Sequence, residues 1–420
     1  MRNECKNINC APLFLARFVK YNSSLPVLLF FCLVLVVIFF RNTIGVIFGD
    51  LFANLSLVLL FLFFPFFLLV PLNRQFGLLL SVYFIYLVIQ LFFGLSRGSA
   101  YAVVGFFNLT GPLFFLISAY LAILDKTKIF NLGVKLFIVF AFINSLGAII
   151  QAQVSIDIFG LIHNDIYANY ELMSGGGVQK RAISFITSPQ SLSLTLAFAT
   201  ALIFYTWPIG WSVFFRVLSF LLIVFVGALT VSKVYFVFLF IVFFVMSIKK
   251  IYSIFIFLLG FLVVGVLASA TTYFDRIFLM FDYIENIRSY PAYEHWARGF
   301  QHIDSAKSLF FGNGIGFYSR GGQIIQESDS IIGVESFLIQ VFSEIGLVGF
   351  SLFSLISGYS YYLLRRKNKS LGAMLLAFVV VGFFTPAPYG FVVGMQMCFL
   401  LVAGFFANRI DFVGVGEVSR

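Results

Sequence analysis

The chain alternates between long apolar runs and short polar breaks. Apolar runs cover residues 25–40, 52–71, 76–95, 101–124, 132–150, 189–207, 212–230, 233–248, 251–270, 334–361, 370–388 and 390–408. A membrane-spanning helix needs about 20 apolar residues, so the pattern predicts about 12 transmembrane helices. Two polar stretches are much longer than the others, 151–188 and 271–333. The expected fold is an all-α polytopic membrane protein, a single integral membrane domain over 1–420 with two long loops on one face. The first run follows Arg2, Lys6, Arg17 and Lys20 and ends at Arg41 without a small-residue cleavage site, so an uncleaved first helix is expected.

Composition excludes the alternatives. The chain is 61% hydrophobic and only 10% charged, against roughly 25% charged in soluble domains. Soluble enzymes, secreted domains and disordered chains are ruled out. The 60 phenylalanines read as lipid-facing bulk. The net charge of +10 suggests a polyanionic partner until it is divided by side. With the N-terminus in the cytoplasm, most Lys and Arg fall in short cytoplasmic segments, among them Arg365, Arg366, Lys367, Lys369 and Arg409. The rest of the chain is slightly acidic. This is the positive-inside asymmetry, with both termini cytoplasmic, and it removes the nucleic-acid reading. The four cysteines lie outside the two long loops, so no structural disulfide is expected.

Polar chemistry collects in the two long loops, which hold His163, His295 and His302. In the first, Gly175–Gly177 permit a tight bend, and Lys180 and Arg181 follow just before a helix. Such a cation pair can bind a lipid phosphate or pyrophosphate, or simply anchor at headgroups. In the second, residues 289–307 read as an amphipathic helix with Tyr293, Trp296 and Phe300 at helical spacing and Glu294 four residues from Arg298. It could lie on the bilayer or lid a cavity. Aromatics there belong to the interfacial belt or stack on sugar rings. His295 and His302 are two turns apart and lack a third ligand, which argues against a metal. Phe310–Arg320 contains three glycines in five residues and reads as a tight turn, not a nucleotide cradle.

The tenth apolar run carries Glu335 and Glu344. Intramembrane carboxylates are costly and default to a functional role. On a continuous helix the two lie about 13 Å apart and on opposite sides. Glu335, next to the long loop, is the candidate base; Glu344, deeper, reads as a hydrogen-bond partner holding two helices together.

Taken together, these segments resemble the Wzy-type O-antigen polymerases and the related O-antigen ligases. The resemblance rests on Arg181 followed by Pro189, on Trp296 leading to Phe311-Gly-Asn-Gly-Ile-Gly316, and on Glu344-Ile-Gly-Leu-Val-Gly349. It covers about 181–350 in pattern. Where those ligases keep a His-Asn pair, this chain has Glu335-Ser336, which favours a polymerase. The resemblance implies an inner-membrane glycosyltransferase with its active site facing the periplasm. It would polymerise undecaprenyl-diphosphate-linked repeat units into O-antigen or a related polysaccharide. Donor and acceptor are both lipid-linked glycans, and a chain-length regulator is a further expected partner. The implied roles are Glu335 as base and Arg288 with Arg181 stabilising the leaving diphosphate, supported by Lys180, Arg298, His295 and His302. Tyr293 and Trp296 would contact glycan. No Asp-x-Asp motif occurs, so an inverting transferase without metal or other cofactor is expected. The competing readings are a lipid-linked oligosaccharide flippase and a ligase or oligosaccharyltransferase of the same chemistry.

Overall fold

The computed structural model describes residues 24–48, 74–96, 101–123, 125–154, 171–174, 177–180, 184–186, 188–206, 211–230, 232–247, 296–297, 299–301, 303–318, 334 and 336–412, and the structural statements below concern these. They form a helical bundle with one small hairpin. The helices are α1 (Ser24–Phe39), α2 (Arg41–Phe48), α3 (Arg74–Ser96), α4 (Tyr101–Ala122), α5 (Lys126–Val154), α6 (Pro189–Tyr205), α7 (Val213–Leu229), α8 (Lys233–Ser247), α9 (Ala306–Phe311), α10 (Phe337–Lys367), α11 (Lys369–Val381) and α12 (Phe391–Phe405). Four of them, α3, α4, α5 and α10, are long and apolar enough to cross a membrane. The runs expected at 52–71 and 251–270 lie outside the described residues.

Several expected boundaries move, each for a local reason. The first helix ends at Phe39, as expected, but the chain turns at once into α2, with Phe40 and Ile44 still donating to carbonyls four residues back. Helix α5 starts at Lys126 rather than 132. The Lys126 amine donates to the Tyr120 and Ile123 carbonyls at the end of α4, so a cation in the break between two apolar runs satisfies a helix terminus. The loop expected at 151–188 is not purely irregular. Glu171–Ser174 (β1) pairs antiparallel with Gly177–Lys180 (β2). The amphipathic helix expected over 289–307 is interrupted. Residues 299–301 are helical, 303–305 are not, and Ser305 opens α9 with a reciprocal Ser305–Ser308 capping box.

Helix α6 lies at the centre, buried without interruption from Leu192 to Ile203. Its hydroxyls tie it to its neighbours: Ser193 to Ser232 at 3.0 Å, Thr195 to Gln396 at 3.0 Å and Thr200 to Tyr235 at 3.3 Å. In an apolar bundle such polar pairs fix which helices meet. Phe198 meets Phe137 and Phe378, and Phe137 also meets Phe399. All four are fully buried. The phenylalanine excess therefore builds the core as well as the lipid-facing surface.

At the end of α6 the Arg216 guanidinium gives two hydrogen bonds to the Ile203 carbonyl, from Nε at 3.2 Å and a terminal nitrogen at 2.8 Å. Arg216→Ala is expected to destabilise the protein by about 1.5–3 kcal/mol, the range for a charged hydrogen bond. Arg216→Lys should recover only part of this. Thermal unfolding in detergent checks both.

Cations mark one end of the bundle. Helix α10 finishes with Arg365, Arg366 and Lys367, α11 begins at Lys369, and Arg409 follows α12. Asp411 donates its N–H to Thr127 at the start of α5, which brings that terminus to the same end.

Candidate functional site

The opposite end is organised by a break in α10. Gly346 has φ 65° and ψ −176°, a conformation essentially restricted to glycine. The two arms, 337–345 and 347–367, fold back on each other. Phe342 meets Phe350 and Phe337 meets Phe353, ring centroids 5.7 and 5.8 Å apart, so pairs are centred on the break. The second arm alone is about 31 Å long, a full hydrocarbon thickness. The first arm is a half-helix inserted beside it. The first arm begins after the Ser336 cap and carries Glu344 near its end.

The glycine turn explains how the break survives in an apolar setting. A helix end leaves carbonyls without partners, and a bilayer offers no water to replace them. Here the N–H of Asn313 donates to the Ser343 carbonyl and that of Gly314 to the Glu344 carbonyl, both at 2.9 Å. The Tyr86 hydroxyl donates to the Ile345 carbonyl at 2.6 Å, and Gln90 donates to the Phe311 carbonyl at 2.6 Å. Gly312, Gly314 and Gly316 all have positive φ. A Cβ at Gly312 would sit 2.3 Å from the Glu344 carbonyl oxygen, so the close approach requires glycine.

Glu344 locks this joint. Its side chain is fully buried and accepts from three elements: the Tyr318 N–H at 3.2 Å, Gln340 Nε2 at 3.1 Å and the Tyr389 hydroxyl at 2.7 Å. The expected hydrogen-bonding role is thus observed, with the glycine turn as a third party. Ser343 Oγ adds a bond to the Gly299 carbonyl at 2.6 Å, which draws in the helical residues 299–301.

The first arm plants its start on the connection between α11 and α12. Ser336 Oγ donates to the Gly382 carbonyl, Phe337 N–H to Thr385 O and Leu338 N–H to Gly382 O, at 3.0–3.2 Å. Helices α11 and α12, of 13 and 15 residues, are only about 20 and 22 Å long. They stop short of a bilayer thickness, so connection 382–390 is recessed below the joint. Polar groups converge on it. Thr385 donates to Gln190 at 3.0 Å, Tyr389 reaches Glu344, and Arg41 lies over the Phe391 ring at 5.0 Å. Trp296 is half-buried, its ring 6.0 Å from that of Phe384.

Of the residues singled out from the sequence, Trp296 is therefore brought to the recessed connection. Lys180 ends β2, its backbone paired with Glu171. Arg181, Arg288, Tyr293, His295, Arg298, His302 and Glu335 lie outside the described residues. Glu335 is flanked in sequence by Val334 and Ser336, both buried at this site. Residues missed by sequence reasoning are Tyr86, Gln90, Gln190, Tyr389 and Arg41. Only their polarity within or beside apolar runs could have signalled them.

No protein-family model and no curated protein matches the chain.

Proposed function

We propose that the protein is a glycosyltransferase that polymerises undecaprenyl-diphosphate-linked repeat units into O-antigen or a related surface polysaccharide. One observation carries the reading. Two segments that resemble the polymerase–ligase superfamily, 311–316 and 344–349, interlock through backbone hydrogen bonds into one joint. That joint stands at the end opposite the cation-rich end. With the cations in the cytoplasm, as the positive-inside rule places them, the joint faces the periplasm of a bacterial inner membrane.

In this reading the acceptor sugar hydroxyl attacks the anomeric carbon of the donor. Its proton passes to the Glu335 carboxylate. The anomeric C–O bond breaks, and undecaprenyl diphosphate leaves with the electron pair. Arg181 and Arg288 stabilise the charge on the departing diphosphate, with Lys180, Arg298, His295 and His302 in support. Tyr293 and Trp296 contact glycan. The step inverts configuration and uses no metal.

The test is the glycan ladder of a deletion strain carrying variants. Glu335→Gln or Arg181→Ala should leave single repeat units, while the protein still inserts in the membrane. Loss of a general base costs about 10²–10⁴ in rate, enough to abolish long chains. A full ladder from either variant overturns its assigned role.

A flippase draws support from the same break, since transporters bind substrate at discontinuous helices. It predicts repeat units trapped on the cytoplasmic leaflet when the protein is lost. A ligase would instead leave finished polymer unattached to its final acceptor.

A further inference from the structure

Helix α10 ends in two matching braces. The Arg365 guanidinium lies over the Tyr361 ring, 5.9 Å from its centroid, and donates to the Tyr361 hydroxyl at 3.2 Å. The Arg366 guanidinium lies over the Tyr362 ring at 5.5 Å and donates to that hydroxyl at 3.1 Å. A basic residue near a helix end usually covers the last carbonyls or extends into water. These two turn back along the helix instead, by one turn, towards the hydrocarbon. The Cα–Cβ bonds of a helix tilt towards its N-terminus, which favours the fold-back. The helix end does not depend on them, since the Asn368 N–H donates to the Leu364 carbonyl at 2.6 Å. Each brace engages one nitrogen of a guanidinium that carries five N–H donors.

Tyr362 and Arg366 also belong to one exposed face. Leu355, Tyr359, Tyr362 and Arg366 recur at helical spacing, and all four are exposed. From Leu355 to Arg366 is about 16 Å along the axis, close to one leaflet of hydrocarbon. The order along this face is apolar, phenolic, cationic. A phospholipid lying against it presents its parts in the matching order: acyl chain, glycerol esters, phosphate. The tyrosine hydroxyl and the guanidinium fork can both donate to phosphate oxygens. Charge selects among phospholipids. Lys367, Lys369 and Arg409 stand at the same end, and among the described residues no acidic side chain pairs with Arg365 or Arg366. Such a cluster attracts an anionic headgroup and repels the ammonium of a zwitterionic one.

We infer that Tyr362 and Arg366 bind the phosphate of an acidic phospholipid, with Arg365 in support. The positive-inside rule asks only for cations at one end of the spans; it does not ask for a guanidinium folded back onto a tyrosine. The site is independent of the function proposed above.

The experiment is native mass spectrometry of the full-length protein, titrated with phosphatidylglycerol, phosphatidylcholine or inorganic phosphate. Phosphatidylglycerol should bind about ten-fold tighter than phosphatidylcholine, and inorganic phosphate should not displace it. Arg366→Ala should weaken phosphatidylglycerol binding about ten-fold, and Arg366→Lys should recover only part, because lysine lacks the planar fork. Tyr362→Phe keeps the ring, removes the hydroxyl and should cost about three-fold. Lys367→Ala is the decisive comparison. It removes the same unit charge one residue further on, where the residue four back is Leu363, and should change affinity by less than about two-fold. Equal losses for Arg366→Ala and Lys367→Ala would show diffuse attraction to the charged end and overturn the site. Unchanged affinity in Tyr362→Phe would overturn the part given to the brace. Equal affinity for the two lipids would overturn the assignment to an acidic lipid, and displacement by inorganic phosphate the assignment to a lipid. The substituted side chains are exposed, so thermal unfolding of every variant should match the wild type. Tyr362→Phe, which deletes one oxygen, carries the test if Arg366→Ala fails to fold.

Discussion

Gly346→Ala should largely prevent the protein from folding. The new methyl group would lie 2.4 Å from the Gly312 nitrogen and 2.5 Å from the Phe310 carbonyl oxygen. Both are backbone atoms, one in the glycine turn and one at the end of α9, so neither can swing aside as a flexible side chain would. The φ and ψ of Gly346 add a conformational penalty that any L side chain meets. Strain and overpacking each cost about 1–3 kcal/mol, and together they approach the stability of an ordinary domain. The measurement is the yield of monodisperse protein on size exclusion and the midpoint of thermal unfolding. Gly358→Ala is the control. It lies on the same helix with nothing within 4 Å of a new Cβ, and it should behave as the wild type does. A Gly346→Ala protein that unfolds with the control would mean the two arms are not folded back on each other.

The second large effect is at Glu344. Replacing it by Ala leaves three donors, the Tyr389 hydroxyl, Gln340 Nε2 and the Tyr318 N–H, without their acceptor in a buried site. Each abandoned buried donor costs about 1–3 kcal/mol, so the loss should exceed about 3 kcal/mol. Glu344→Gln keeps one acceptor oxygen for two of the donors, and the Tyr389 hydroxyl can turn to accept from the amide. It should recover more than half of the loss. Tyr389→Phe combined with Glu344→Ala should cost less than the two changes separately, because they break one bond in common. Thermal unfolding of the four proteins closes this cycle. Strict additivity would mean that Glu344 does not join the glycine turn to connection 382–390.

Both predictions concern features whose residues were visible in the sequence and whose meaning was not. Three glycines in five residues marked a tight turn, and the turn is there. What it clamps lies some thirty residues further along the chain, in a run whose hydropathy matches a straight span. A half-helix folded back against its neighbour buries the same kinds of residue as a continuous helix does. Apolar patterning therefore cannot tell them apart. The recess was hidden for a related reason. The runs 370–388 and 390–408 read as two helices of full span length, whereas α11 and α12 have 13 and 15 residues. Arg41 looked like a span end. In the structure Lys126 serves the end of α4, and the chain stays helical beyond Arg41.

The sequence by itself determined the helical class and the apolar, membrane-suited character of the chain. These follow from composition and period, which act locally and sum along the chain. It also determined where glycine must stand. The tertiary structure decided which carbonyls freed at Gly346 meet which N–H groups, and which donors close around Glu344. It also decided that Arg41 and Phe391 would meet at the recessed connection. Such pairings join residues far apart in sequence, and in a bilayer each must be satisfied by the protein itself. They are properties of the packed bundle, and no single segment of the chain contains them.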